Sequence, residues 1–204
     1  MKKETVLIIL AGGKSSRMDF PKGLLKHKNH FWILSQMESF IGEKITIGLG
    51  FDYQLYFDAI PWLAKAVEKP QNYQQKIVRV VINKTPEFGL FSTVQSVLKT
   101  LDTNQQVFVL PIDVPLLKSS EFKKIMDTEN EIVIPTYNNK KGHPVKLAPM
   151  FWKSLLALNI TDENSRLDTL IKKRNASEIS MIAINDAAIL KNLNTPKDWL
   201  EFIS

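Results

Sequence analysis

The stretch TVLIILAGGKSSRMDFPK, Thr5–Lys22, joins a predicted strand to a glycine-rich loop that carries positive charge. Its first part, Thr5–Ala11, is apolar and contains β-branched residues, a pattern typical of a strand buried on both faces. Two glycines follow, and successive backbone N–H groups without competing side chains can form an anion-binding nest. Arg17 and Lys22 add the charge that a polyphosphate needs. The alternative is a polar surface turn that happens to hold two glycines and two cations.

Two well-known phosphate-binding loops are excluded by the spacing of the glycines. A P-loop requires a further glycine five residues before the glycine of its Gly-Lys-Ser, and this chain has Ile8 there. The dinucleotide fingerprint requires a third glycine, whereas Lys-Ser-Ser-Arg follows Gly13. The loop therefore predicts anion binding without matching either motif.

Short β-branched runs recur along the chain and are separated by amphipathic segments of helical length. The predicted strands are Thr5–Ala11, Lys44–Leu49, Ile77–Asn83, Gln106–Asp113, Glu131–Tyr137 and Ile179–Asn185. Apolar residues at helical spacing are Phe31, Leu34, Met37 and Ile41, then the segments from Leu55 to Val67 and from Val94 to Leu101, then Phe122, Ile125 and Met126.

This alternation predicts an α/β fold with a mostly parallel sheet covered on both faces. We expect a single Rossmann-like three-layer domain over residues 1–204, because no linker or low-complexity tract divides the chain. The segment from Tyr137 to Ala148 is predicted to form a small β-hairpin insertion around the turn Asn138–Gly142.

Composition excludes several classes of protein. Lys and Arg number 27 against 21 Asp and Glu, a net charge of +6, but only four cations are arginines and the lysines are dispersed, which argues against nucleic acid as a partner. The absence of Cys excludes disulfides, thiolate zinc sites and thiol nucleophiles. The apolar run Val6–Ala11 is too short for a signal peptide or a membrane span, so we expect a cytoplasmic protein without a membrane partner.

A single carboxylate, Asp113, ends the strongly apolar segment that begins near Val107. A charge there is costly unless it is paired or bound to a metal ion. Ligands of open α/β sheets bind at the carboxyl ends of the strands, where one carboxylate together with phosphate oxygens and water suits Mg²⁺. The alternative is that Asp113 caps the following helix or opens a turn before Pro115.

Two residues further along the chain are candidates for binding a second substrate. His143 lies between Gly142 and Pro144, where it either points into a cleft or merely shapes a turn. Arg166 ends the segment Thr161–Arg166 and would suit an anion. The alternative is a helix that is capped by Thr161 or Asp162, with Arg166 on its exposed face.

Two other motifs have structural explanations. Gly89 precedes a Ser/Thr-rich helix start, which offers free N–H groups to a nucleoside or phosphate, although helix capping by Ser92 or Thr93 explains it as well. Near the end of the chain, Thr195 is predicted as the N-cap of a helix with Asp198 as the capping-box acid.

In this order, the pieces resemble the MobA-like nucleotidyltransferases, the family of molybdenum cofactor guanylyltransferases and cytidylyltransferases. The opening signature of that family here reads LAGGKSSRMDFPKGLL, Leu10–Leu25. The strand that ends in Asp113-Val114-Pro115, the Gly142-His143-Pro144 turn and the Asn-Thr-Pro-x-Asp motif that begins at Asn194 are also similar to the family.

The resemblance implies a Mg²⁺-dependent enzyme that transfers the nucleoside monophosphate of CTP or GTP to a phosphorylated acceptor, molybdopterin, and releases pyrophosphate. It implies catalytic roles for Arg17, Lys22 and Asp113, and Mg²⁺ binding by Asp113. His143 and Arg166 are expected on the acceptor side, and the protein is expected to be a monomer or weak homodimer. The residues implied in nucleotide binding are Leu10, Ala11, Gly12, Gly13, Lys22 and Asp113.

Two departures from the family pattern keep other functions open. Asp19 stands where the family usually has glycine, and Asn192 stands where some relatives carry an acid that can serve the metal. The motifs are also mixed between the guanylyl and cytidylyl branches. The alternatives are a transferase that acts on a sugar phosphate or another small metabolite, and a nucleotide-binding module that has lost turnover.

Overall fold

A computed structural model describes residues 4–162 and 165–204 of the chain. The strands are β1 (Thr5–Ala11), β2 (Lys26–His27), β3 (His30–Phe31), β4 (Lys44–Leu49), β5 (Gln71–Tyr73), β6 (Lys76–Ile82), β7 (Gln106–Pro111), β8 (Ile132–Tyr137), β9 (Lys140–Lys141), β10 (Val145–Leu147) and β11 (Ile179–Ala183). The α-helices are α1 (Trp32–Ser39), α2 (Tyr53–Ala59), α3 (Trp62–Glu68), α4 (Leu90–Leu98), α5 (Ser119–Asp127), α6 (Pro149–Leu155), α7 (Leu167–Lys172) and α8 (Pro196–Ile203).

The main sheet has the strand order β11-β8-β10-β7-β1-β4-β6-β5, and β9 pairs with β8 outside this path. Strand β1 lies parallel to β4 and to β7, β4 lies parallel to β6, and β11 lies parallel to β8. Strand β10 is antiparallel to both of its neighbours, and the short β5 is antiparallel to β6. The sheet is therefore mostly parallel, as the alternating sequence pattern predicted.

The core lies on both faces of the sheet, which confirms the three-layer prediction. Successive side chains of a strand point to opposite faces. Leu7 and Ile9 of β1 accordingly pack in a cluster with residues of α1, α2, α3, α5 and α8, whereas Ile8 and Leu10 pack with residues of α4, α6 and α7. Because β1 is covered on both faces, its sequence is apolar throughout rather than alternating.

The six predicted strands are all present, with small shifts at their ends. The strand that was predicted over Gln106–Asp113 ends at Pro111, because a turn follows in which the N–H of Val114 donates to the Pro111 carbonyl at 3.1 Å. The single helix predicted from Leu55 to Val67 is two helices, α2 and α3. Proline lacks the N–H that a continuous helix requires, and Pro61 is instead the N-cap residue of α3.

The predicted β-hairpin is present, but its return strand lies elsewhere than expected. Asn138 and Asn139 have φ angles of 48° and 60°, and asparagine tolerates this left-handed region in the tight turn between β8 and β9. Strand β10 then enters the main sheet between β7 and β8. The segment is therefore part of the sheet rather than an insertion beside it, and it carries Gly142 and His143 to the sheet edge. No helix of the described chain is long and apolar enough to cross a membrane.

Candidate active site

The loops after β1, β4 and β6 meet at the carboxyl edge of the sheet, where their backbones pack closely. The N–H of Phe51, just after β4, donates to the Gly12 carbonyl at 3.2 Å. A Cβ on Gly12 would lie 2.8 Å from Thr93 Oγ1, whereas a Cβ on Gly13 would meet nothing within 4 Å. Gly12 is therefore required by packing, and Gly13 leaves its backbone open to a ligand.

Lys22, Asp113 and Asn194 form the polar centre of this edge. Lys22 Nζ lies 3.0 Å from Asp113 Oδ2 and 2.7 Å from Asn194 Oδ1. The side chains of Lys22 and Asp113 are 12% and 22% exposed, so the pair is largely withdrawn from solvent but still reachable. The structure thus brings together two residues that the sequence placed in one site, Lys22 and Asp113, from segments 91 residues apart.

The backbone on either side of Asp113 is fixed by helix α1. Trp32 Nε1 donates to the Ile112 carbonyl at 2.7 Å, and Gln36 Nε2 donates to the Val114 carbonyl at 2.7 Å. Both α1 side chains are buried. The carboxylate is therefore held on a rigid segment, as a group that positions a metal ion or a cation requires.

Lys22 is placed by its own short turn. It begins the 3-10 turn Lys22–Leu24 after Pro21, and the N–H of Gly23 donates to the buried Tyr56 hydroxyl at 3.3 Å. The backbone N–H of Lys22 donates to Ser15 Oγ at 3.3 Å, which ties this turn to the glycine-rich loop. The cation therefore points to Asp113 from a constrained backbone.

Sequence reasoning missed Asn194, because the motif around it had a sufficient structural explanation. The predicted capping box is present: Thr195 accepts from the N–H of Asp198, and Asp198 Oδ2 accepts from the N–H groups of Asn194 and Thr195. These hydrogen bonds hold the pKa of Asp198 below its usual value. The same cap directs the Asn194 side chain to Lys22, whereas Asn192 is exposed and its Nδ2 donates to the Leu190 carbonyl.

Arg17 lies on the exposed side of the glycine-rich loop. Its positive charge is one of the smaller causes that lower the pKa of Asp198, which places it near the start of α8. Asp19, two residues on, has a φ of 52°. Asp is among the few residues that tolerate the left-handed region, so Asp19 fits this turn with little strain.

The donors around Asp113 fit a metal ion that arrives with phosphate rather than a metal held by protein alone. Asp113 Oδ1 has no hydrogen-bond partner among residues 4–162 and 165–204, so one carboxylate oxygen is available. No group of three or more His, Cys, Asp or Glu side chains in those residues is arranged to hold a metal. One carboxylate with phosphate oxygens and water is the pattern that Mg²⁺ adopts at nucleotide sites.

A cavity at this end of the sheet, which we call the first cavity, has a volume of about 830 Å³ and is lined by both residues that were expected on the acceptor side. His143 and Arg166 line it. Its apolar floor is formed by Leu10, Phe91, Val94, Val109, Ile134, Val145 and Ile171. The cavity therefore lies beside the ends of β1 and β7, and Lys22, Asp113 and Asn194 are not part of its lining.

His143 is a half-buried polar side chain in the lining of the first cavity. Its Nδ1 is buried and has no hydrogen-bond partner among the residues that the structure describes. Burial lowers the pKa of His143 from its usual value, against the opposing effects of the Val109 backbone and the Asp113 charge. The imidazole is therefore neutral at pH 7, and its buried Nδ1 is left without a partner among the described residues.

Arg166 is less available than the sequence suggested. The alternative of an exposed Arg166 at a helix start is confirmed, but Arg166 is itself the N-cap residue of α7 in place of Thr161 or Asp162. Glu163 and Asn164 of the same motif lie outside the described residues. Arg166 is 73% exposed and its Nε lies 3.2 Å from Asp168 Oδ1. Lys141, which sequence reasoning did not single out, also lines the cavity and has no described ion-pair partner in the same residues.

The second cavity, of about 410 Å³, is formed by the glycine-rich loop and the turn before α4. Gly13, Lys14 and Phe51 line it, and Lys14 Nζ lies 5.1 Å from the centre of the Phe51 ring. The predicted capping of α4 by Ser92 or Thr93 is wrong: Gly89 is the N-cap residue, and both hydroxyls accept from the buried Asn83 Nδ2, at 2.7 and 3.0 Å.

The sequence is similar to a known family of nucleotidyltransferases. A family model described as the MobA-like NTP transferase domain matches residues 7–178. The molybdenum cofactor guanylyltransferase of Helicobacter pylori (strain P12) is 31% identical over 198 residues, which cover 94% of this chain and 88% of that protein.

Solved structures share the fold at lower identity. A manganese complex of Rv0371c from Mycobacterium tuberculosis H37Rv has a TM-score of 0.71 and 16% identity, over 100% of this chain and 99% of that chain. Molybdopterin-guanine dinucleotide biosynthesis protein A from Archaeoglobus fulgidus has a TM-score of 0.67 and 12% identity, over 96% and 95% of the two chains. At these identities the likeness concerns the fold alone.

Proposed function

The chain belongs to the MobA-like NTP transferase family and is a nucleotidyltransferase, and on this basis we propose that it transfers the nucleoside monophosphate of GTP or CTP to the phosphate of molybdopterin. The observation that carries the proposal is the Lys22–Asp113 pair at the carboxyl edge of the sheet, which the hydrogen bond from the Lys22 N–H to Ser15 Oγ ties to the glycine-rich loop. Two cavities open near the same edge, one lined by Gly12 and Gly13 and the other by Leu10 and Pro111. One cavity serves the nucleotide and the other the acceptor.

The reaction requires no nucleophile from the protein. An oxygen of the acceptor phosphate attacks the α-phosphorus of the NTP, a new P–O bond forms, and the bond to the β-phosphate breaks so that pyrophosphate leaves. The protein must hold two polyanions close together and neutralise the charge that develops. Lys22 provides a positive charge at the transferred phosphate, and Asn194 holds that lysine in place through the 2.7 Å hydrogen bond.

We propose Mg²⁺ as the metal, held by Asp113 and the phosphate oxygens. When bound, the ion neutralises phosphate charge and makes the α-phosphorus more electrophilic. The available Oδ1 of Asp113 supports this assignment. Leu10, Ala11, Gly12 and Gly13 border the nucleotide in this proposal, and Arg17 contributes charge near the leaving pyrophosphate.

The apolar floor of the first cavity supports an acceptor with flat, apolar ring faces. A sugar phosphate exposes hydroxyl groups all around and would leave many of them without partners over a floor of Val, Leu, Ile and Phe side chains. A ring system such as a pterin covers that floor. His143 and cations at the rim, among them Arg166, then bind its polar groups and its phosphate. We therefore favour molybdopterin over a sugar phosphate.

Both ends of the chain reach the same site, since β1 supplies the glycine-rich loop and the segment before α8 supplies Asn194. We propose that residues 1–204 act as one nucleotidyltransferase domain and work as a monomer or weak homodimer.

A substrate panel tests the proposed function. Pyrophosphate release is measured with each of the four NTPs, with Mg²⁺, and with molybdopterin or sugar phosphates as acceptor. We expect release with GTP or CTP only when molybdopterin is present. Pyrophosphate release that requires a sugar phosphate would show that the acceptor is a sugar phosphate and not molybdopterin. Nucleotide binding without pyrophosphate release under any condition would contradict nucleotidyl transfer.

A further inference from the structure

Glu87 lies at the boundary between the two cavities. It stands in the middle of the 3-10 turn Pro86–Phe88 and lines both the first and the second cavity. Gly89 and Leu90 line both as well. A group bound at Glu87 therefore belongs either to the nucleotide or to the acceptor.

The backbone under Glu87 is well fixed. The N–H of Gly89 donates to the Pro86 carbonyl at 3.0 Å, and the N–H of Thr85 donates to Asn83 Oδ1 at 3.0 Å. Asn83 is only 2% exposed and is held by the hydroxyls of α4. The turn therefore fixes the Glu87 backbone at the rim of both cavities, and the exposed side chain projects from this fixed point.

The Glu87 carboxylate has no hydrogen bond or ion pair with any residue of the two described stretches. Asp113 is paired with Lys22, and Asp168 with Arg166 and Lys172. An ionised carboxylate accepts hydrogen bonds and donates none, and it repels phosphate. In a cleft that binds an NTP and an acceptor phosphate, an unpaired carboxylate weakens the binding of both anions unless it accepts hydrogen bonds from N–H donors of a ligand.

Exposed apolar surface follows Glu87 directly in the sequence. The neighbouring Phe88 is 43% exposed and Leu90 is 50% exposed, although both are large apolar residues. Apolar surface beside one hydrogen-bonding group suits the faces and the edge of a flat heterocycle.

We propose that Glu87 recognises a 2-amino-4-oxopyrimidine edge, in which a ring N–H and the adjacent amino group each donate to one carboxylate oxygen. This inference rests on the proposed function. Guanine carries this edge, and the pterin of molybdopterin carries the same one. Cytosine presents one amino group beside a ring nitrogen that only accepts, so that its lone pair would face the carboxylate.

The variant Glu87→Gln separates the two sources of this edge. Glutamine offers one acceptor and one donor, which mismatches guanine and pterin but suits cytosine. If the edge is that of guanine, kcat/KM for GTP falls by roughly tenfold while kcat/KM for CTP is unchanged or rises. If the edge is that of the pterin, the KM for molybdopterin rises by about the same factor with either nucleotide.

The matched control is Glu68→Gln, at the exposed end of α3 and outside the lining of both cavities. It removes the same charge and should leave every KM unchanged. The proposal is overturned if wild-type protein transfers nucleotide and Glu87→Gln behaves as Glu68→Gln for GTP, CTP and molybdopterin alike.

A wild-type protein that releases no pyrophosphate would contradict the proposed function and not this inference. Binding then decides it: thermal stabilisation by GDP, CDP and a phosphate-free pterin is compared between Glu87→Gln and Glu68→Gln. A selective loss of stabilisation by GDP or by the pterin in Glu87→Gln supports recognition of the edge, and equal stabilisation of the two variants by all three overturns it.

Discussion

Asn194 accepts a hydrogen bond from Lys22 Nζ at 2.7 Å, slightly shorter than the 3.0 Å between the same nitrogen and Asp113 Oδ2. Lys22 therefore has two partners from different parts of the chain, one charged and one neutral. In the proposed complex a metal ion would compete with Lys22 for Asp113, and phosphate would compete with Asp113 for Lys22, but neither displaces the hydrogen bond from Lys22 to Asn194. The segment that caps α8, near the C-terminus, thus holds Lys22, which lies near the N-terminus.

Removal of the Asn194 side chain should impair the chemical step more than substrate binding. In Asn194→Ala, Lys22 loses a charge-assisted hydrogen bond, of about 1.5–3 kcal/mol, and is free to adopt other rotamers. We expect kcat to fall by about tenfold or more, with a smaller change in KM for the NTP. Steady-state kinetics measure both, and Asn192→Ala is the control because that side chain points to the Leu190 carbonyl. Equal effects of the two variants would refute a positioning role for Asn194.

Asp19 should be tolerated by the fold and should reduce nucleotide affinity. Asp19→Gly removes a negative charge from the proposed anion-binding loop and fits a φ of 52° without strain. We expect the KM for the NTP to fall severalfold, and the free energy of unfolding to change by less than about 1 kcal/mol. Asp19→Ala removes the same charge but should destabilise the loop by about 1 kcal/mol. Urea unfolding and NTP titrations test both, and a higher KM in Asp19→Gly would show that the carboxylate helps the nucleotide site.

Lys141 should contribute more to acceptor binding than Arg166. It lines the first cavity without a described ion-pair partner in residues 4–162 and 165–204, whereas Arg166 shares its charge with Asp168. For Lys141→Gln we expect the KM for molybdopterin to rise severalfold, with the KM for the NTP unchanged. The adjacent Lys140 of β9 does not line the cavity, so Lys140→Gln is a control of equal charge. A larger effect from Arg166→Gln than from Lys141→Gln would reverse this ranking.

His143 should make the protein less stable in acid. Its pKa in the folded state is lowered from the usual 6.5. Below pH 6.5 the unfolded chain therefore binds a proton that the folded chain resists, so the free energy of unfolding falls as the pH falls through this window. In His143→Asn this contribution is absent, and the decrease in unfolding free energy between pH 7.5 and 5 should be smaller than in wild type. Urea unfolding at the two pH values measures the difference, and identical slopes would contradict the burial of a neutral imidazole.

The sequence predicted the sheet well, because strands buried on both faces consist of uninterrupted apolar residues and are bounded by polar turns. The pattern of β1 and β4 matched the structure at both ends. The place of β10 was not predictable in this way, since three residues carry no periodicity that distinguishes a sheet strand from the arm of a hairpin.

The site was predicted in part. Lys22 and Asp113 each stand out locally, as a cation after a glycine loop and as an acid after an apolar strand. Asn194 and Glu87 do not, because a capped helix start and a polar turn have sufficient structural explanations. Their proximity to the site depends on contacts between segments far apart in the chain, which local sequence patterns do not record.

The measurement that tests the central claim most directly is formation of the nucleotide adduct of molybdopterin by wild type, Asp113→Asn and Asp127→Asn at increasing Mg²⁺ concentration. Asp127 is an exposed residue of α5 that is paired only with Lys123 in the described ion pairs, so its variant controls for the loss of a carboxylate. We predict adduct and equimolar pyrophosphate from wild type and Asp127→Asn, and a loss of at least about a hundredfold in Asp113→Asn at every Mg²⁺ concentration. Full activity of Asp113→Asn, or no adduct from wild type with either GTP or CTP, would contradict the account.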